Sequence, residues 1–254
     1  MIVNLVLYSN GEPFNTTKKM TIDSVYKFTK KNINIHDYNL EKIKQRNWFK
    51  YIKDLPTIIR DGKRDGYYNS WKAFIIKEVY DKMNDTDILY YVDSSQHYVE
   101  GFTENIDKLC DIVFEKGFIA GSVGNDIKNN TLKYCDNLDI WNKILPNNNN
   151  INLIDKLHVL NSWFILKKND INTNFINDWI FFTYYKDNML PLPLVTYHHT
   201  VDQSIFNILV HKYKLLVFYC QNIKHNENKN KNIVLNIINN LDNINNIDSY
   251  FIYL

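Results

Sequence analysis

The sequence predicts an α/β fold: a single domain with a Rossmann-type, mostly parallel sheet flanked by helices. Three observations predict it. Short apolar runs alternate with helical segments along the chain, the pattern of strands joined by crossovers. The runs Ile2–Tyr8 and Asp87–Val92 are almost continuously apolar, as strands covered on both faces are. The 254 residues, 45% hydrophobic and 23% charged, suffice for one packed core and exclude global disorder.

Ile2–Tyr8 reads as the first strand, closed by the turn signal Ser9-Asn10-Gly11. Helices are expected around Ser24–Lys30 and Leu40–Ile52, then a glycine-containing loop over Asp61–Gly66. Between Ser70 and Met83, Trp71, Phe74, Ile75, Val79 and Met83 fall on one helical face. Asp87–Val92 is an inner strand with Asp93 at its carboxyl end. Thr103–Lys116 is helical and Phe118–Ala120 begins a short strand. Leu145–Ile151, with Pro146 and four asparagines, is a loop. Val159–Leu166 is a strand and Asn174–Lys186 a helix, and Pro191 and Pro193 then break the chain. Asp202–Tyr213 is the last clear helix, and Asn222–Lys231 is a polar, basic loop. No repeat or linker divides the chain, so one domain is expected over residues 1–254.

Composition narrows the function. A net charge of +2 argues against a dedicated nucleic-acid binder. No run approaches the ~18 apolar residues that span a bilayer, and the N-terminal run lacks a signal peptide's basic leader. Cys110, Cys135 and Cys220 are few, odd in number and widely spaced, which fits a reducing compartment and the cytoplasm.

Three residues carry the candidate chemistry. Asp93 sits at a strand's carboxyl end, where open α/β sheets bind ligands. It is either a metal-binding carboxylate or a turn former. Lys72 lies in the first turn of a helix, where the dipole disfavours a cation. A bound diphosphate would remove that conflict, and Arg64 in the preceding loop would assist; otherwise both are surface charges. Asp202 opens the late helix, either as its N-cap or as a base facing an acceptor hydroxyl. His198 and His199 stand just upstream. Trp179, Phe182, Tyr67, Tyr68 and Trp71 read as packing rather than sugar-stacking residues.

The segments Gly66-Tyr67-Tyr68-Asn69-Ser70-Trp71-Lys72-Ala73-Phe74-Ile75-Ile76, Asp87-Ile88-Leu89-Tyr90-Tyr91-Val92-Asp93 and Asp202-Gln203-Ser204-Ile205, in this order, resemble GT-A-fold glycosyltransferases. The resemblance covers roughly residues 1–215. It implies a nucleotide-sugar-binding half over about residues 1–120 and an acceptor half over about 121–254. Donor contacts would come from Ser9, Asn10, Arg64, Lys72, Asp93 and Ser95, and acceptor contacts from Gln203 and His199, with Asp202 catalytic. Asp93 would take the first position of an Asp-X-Asp metal motif holding Mn²⁺ or Mg²⁺. The third motif position is Ser95, and Ala73 replaces the usual proline, so one carboxylate is missing. The implied activity is transfer of a sugar from a nucleoside-diphosphate donor to a glycan or glycoprotein hydroxyl. The alternative is an inactive nucleotide-sugar- or glycan-binding module of the same fold. Heavy use of Asn, Ile and Lys is similar to that of glycosyltransferases of large DNA viruses.

Overall fold

The computed structural model describes residues 1–54, 58–60, 63–65, 69–94, 106–122, 143–145, 158–184, 201–219 and 251–253. Within them the chain is a mixed α/β protein with one seven-stranded sheet, a separate hairpin, and helices on both sheet faces. The strands are β1 (Ile2–Tyr8), β2 (Asn32–Tyr38), β3 (Ile58–Arg60), β4 (Lys63–Asp65) and β5 (Ile88–Val92). They continue with β6 (Phe118–Ser122), β7 (Val159–Lys167), β8 (Leu216–Tyr219) and β9 (Phe251–Tyr253). The helices are α1 (Phe14–Phe28), α2 (Leu40–Lys44), α3 (Trp71–Lys82), α4 (Ile106–Lys116), α5 (Asp170–Tyr184) and α6 (Val201–Lys212). No helix among the described residues is long and apolar enough to cross a membrane.

The sheet order is β2-β1-β5-β7-β6-β8-β9. β2, β1, β5, β6 and β8 run one way; β7 and β9 run against them. The chain places β2 on one side of β1 and then crosses to put β5 on the other. That reversal is a topological switch point, and open α/β sheets bind ligands outside the carboxyl ends of the strands at such a point, here β1 and β5.

Period-2 alternation sorts the inner strands between two cores. On β5, Leu89 and Tyr91 face the core built with α3, α5 and α6, while Ile88, Tyr90 and Val92 face the core built with α1 and α4. β7 breaks this rhythm. Ala120 pairs with Phe164, yet Ser122, two residues on, pairs with Val159, five residues back. The extra residues on β7 bulge, and bulges re-aim side chains. Gly121 lies at this irregularity, where a Cβ would sit 2.5 Å from the Trp163 ring.

Several expected elements are corrected. The first helix begins at Phe14 rather than Ser24; its inward face carries Thr17 and Thr21, whose hydroxyls bond back to the Pro13 and Thr17 carbonyls. Leu40–Ile52 is not one helix: α2 stops at Lys44 and a 3₁₀ turn covers Asn47–Tyr51. Ile43 and Ile52 are both fully buried, and at about 100° per residue a continuous helix would put them on opposite faces. The loop expected over Asp61–Gly66 contains β4, the return strand of an antiparallel hairpin with β3. α5 starts at Asp170, four residues before the expected Asn174. The expected Leu145–Ile151 and Asn222–Lys231 loops lie outside the described residues except for Leu145, as do Pro191 and Pro193.

Candidate active site

At the carboxyl end of β5, three residues far apart in sequence come together: Lys72, Asp93 and Asp202. Each is delivered by a different element. Lys72 is in the first turn of α3, Asp93 follows β5 directly, and Asp202 is the second residue of α6. The Asp93 amide donates to the Ser162 carbonyl at 2.7 Å, which ties the strand end to β7.

Lys72 Nζ lies 3.3 Å from Asp93 Oδ1 and 3.8 Å from Asp202 Oδ2. It also donates to the backbone carbonyl and the Oδ1 of Asn161, both at 3.2 Å, and sits 5.1 Å above the Tyr91 ring. The Lys72 side chain is 2% exposed, Asp202 is fully buried, and Asp93 retains 27% exposure. Asp93 is therefore the member of the trio that meets solvent. The Tyr91 hydroxyl donates to the same Asp93 Oδ1.

Asp202 is held on both oxygens. The Trp179 indole N–H donates to Oδ1 at 3.2 Å, and the Asn161 amide donates to Oδ2. Burial raises its carboxyl pKa from 3.8 to about 7; Lys72 opposes the rise, Asp93 adds to it, and the two hydrogen bonds oppose it. A carboxyl held near neutrality can take up and release a proton at neutral pH. Burial and the neighbouring Asp93 carboxylate likewise push the Tyr91 phenol well above its ordinary range, so it donates rather than ionises.

The structure shows the surroundings of both helix-start residues. Lys72 is not a solvated surface charge; its ammonium is buried against two carboxylates. Asp202 does not project as a cap; it turns inward to Asn161, Trp179 and Lys72. Gln203 ties α6 to β7: its Oε1 accepts from the Asn161 amide N–H at 3.0 Å, and its Nε2 donates to the Val159 carbonyl. Ser9 is buried at the end of β1, its N–H donating to the Tyr38 carbonyl and its hydroxyl to Asn15 Oδ1. Asn10 follows it, exposed. Because β1 and β5 are parallel neighbours, these two share the sheet edge of Asp93. Arg64 lies on β4, opposite Ile59. Ser95, His198 and His199 lie outside the described residues. Asn161 and Trp179 are the site residues that sequence reasoning missed. Asn161 had a signal, an amide inside the apolar run of β7; Trp179 had none, since its spacing is that of a core residue.

Among the described residues no group of three or more His, Cys, Asp and Glu side chains is placed to hold a metal ion. The one solvent-facing carboxylate of the trio, Asp93, already has Lys72 and Tyr91 on Oδ1, and Asp202 has a donor on each oxygen.

No protein-family model matches the chain, and no curated protein matches it. Among solved structures it is similar to the apo form of mouse xyloside xylosyltransferase 1, with a TM-score of 0.46 and 8% identity, over 86% of this chain and 85% of that one.

Proposed function

We propose that the chain transfers a sugar from a nucleoside-diphosphate donor to a hydroxyl of a glycan or glycoprotein. The observation that carries the reading is the Lys72–Asp93–Asp202 trio at the topological switch point. An ammonium next to the first turn of α3 is suited to an anionic leaving group, since helix N-termini favour anions. In transfer, the bond from the sugar's anomeric carbon to the diphosphate oxygen breaks, and the acceptor oxygen bonds to that carbon. The acceptor proton passes to Asp202, and the charge growing on the diphosphate is met by Lys72. Lys72 then exchanges a carboxylate partner for a phosphate, which leaves the second lone pair of Asp202 Oδ2, beside its bond from Asn161, for the acceptor hydroxyl.

Ser9 and Asn10 flank the nucleoside side of this site, and Gln203 supports the acceptor side through β7. Arg64 and Ser95 would contact the donor and His199 the acceptor. The resemblance adds Mn²⁺ or Mg²⁺ and the two halves at about 1–120 and 121–254, and the three scattered cysteines fit a cytoplasmic location. No step above needs a metal. A second reading, a binding module without turnover, is favoured by one observation: Ser95 stands where the motif's second carboxylate would be. Incubation with nucleoside-diphosphate sugars separates the two. An enzyme releases the nucleoside diphosphate; a module raises its melting temperature in their presence and releases none.

A further inference from the structure

We infer that Trp179 is a positioning residue for Asp202: its indole N–H, with the Asn161 amide, fixes the carboxylate plane and favours its ionised form. The inference rests on the reading of Asp202 as the base.

Donor and acceptor logic carries it. Lys72 has only donors, so the oxygen of the Asn161 side-chain amide must face Lys72 Nζ, 3.2 Å away. The Asn161 NH₂ is then committed to Asp202 Oδ2. The indole of Trp179 is a donor that cannot become an acceptor, and it points at Asp202 Oδ1. Both carboxylate oxygens thus face donors that cannot reverse. Each bond is stronger to the carboxylate than to the acid, so the two donors oppose the pull of burial, while the second lone pair of each oxygen can still take a proton. Trp179 is suited to this because it cannot drift. It is fully buried, with its ring 5.0 Å from Phe206, 5.9 Å from Phe164 and 5.9 Å from Phe175. The helix α5 that carries it packs against α6, which carries Asp202. The charged groups facing Asp202 among the described residues are Lys72 from α3 and Asp93 from the end of β5. From β7 and α5 it meets the neutral Asn161 and Trp179.

The test is Trp179→Phe, which keeps an aromatic ring and removes the N–H. The Asp202 carboxyl is titrated directly by carbon NMR in aspartate-labelled protein, with Asp202→Asn giving the assignment. Its pKa should rise by about 1–2 units, the worth of a hydrogen bond to a charged group. The ascending limb of kcat against pH should move upward by the same amount, with the donor KM unchanged. An unmoved Asp202 titration overturns the inference, as does a fall in kcat equal at every pH. The NMR titration needs no substrate. A shifted pKa without turnover therefore upholds the clamp and removes the transferase reading, while turnover with an unshifted pKa does the reverse. Should Trp179→Phe fail to fold, 3-benzothienylalanine at 179 keeps the bicycle, replaces the N–H by sulfur and gives the same comparison.

Discussion

Replacing Asp202 by asparagine separates the cost of burying this carboxyl from its use. In the folded chain its pKa is raised from 3.8 to about 7, chiefly by burial. A carboxyl with a raised pKa leaves stability intact below its unfolded value and removes stability as the pH climbs through the folded value. The group therefore costs nothing near pH 3 and its full penalty above about pH 7. A rise of this size corresponds to roughly 4 kcal/mol. The asparagine variant escapes that penalty at every pH. It incurs a different one: the new NH₂ must oppose the donor of either Trp179 or Asn161, at about 1–3 kcal/mol. That second cost does not vary with pH. Differential scanning fluorimetry of both proteins from pH 4 to pH 8 should show the variant gaining on the wild type as pH rises. The gain should be roughly 8–16 °C in relative melting temperature, from about 2–4 °C per kcal/mol for a chain of about this size. At pH 7.5 the same variant should lose turnover by about 10²–10⁴-fold as its base is removed. A melting-temperature difference that stays flat from pH 4 to pH 8 would refute the burial reasoning.

Three further outcomes follow from the geometry. Lys72→Met leaves Asp93 and Asp202 without their shared cation; it should cost about 3–5 kcal/mol by denaturant unfolding and abolish nucleoside-diphosphate binding in calorimetry. Asp93→Asn should keep the fold, since this side chain is partly exposed, and should change diphosphate affinity; equal affinities with and without Mn²⁺ would take Asp93 out of the donor site. Gly121→Ala should destabilise by about 1–3 kcal/mol, because its new methyl meets the Trp163 ring, whose nearest atom is 2.5 Å from the Cβ position; an unchanged unfolding midpoint would mean the ring moves freely.

The inner elements were legible because their residues state one environment each. β1 and β5 are apolar on both faces, and α3 carries a clean apolar stripe, so their type and burial could be read directly. Elements at the edges were not. β2 (Asn32–Tyr38) alternates isoleucines with polar residues and lies at the sheet edge, half-buried at most positions. α1 faces inward with threonines that satisfy themselves on the preceding turn. Lys72 and Asp202 were legible as candidates from their places in first helical turns, and Asp93 from its place at a strand end. That all three meet was not, because contacts between positions 72, 93 and 202 depend on the sheet order and on α6 packing over β7. Asn161 lies on the strand that bulges, and no pattern in the sequence marks where a strand will bulge. Trp179 looks like core because it is core, and only its one polar atom sets it apart.

Sugar transfer by this site is tested most directly by nucleoside-diphosphate release from a panel of nucleotide sugars, run side by side on the wild type, Asp202→Asn and Lys72→Met. The wild type should release nucleoside diphosphate from at least one donor, faster with a hydroxyl acceptor, and Asp202→Asn should lose at least about 10²-fold. Release by all three proteins at one rate would contradict transfer by this site, as would a wild type that neither releases nucleoside diphosphate nor is stabilised by any donor.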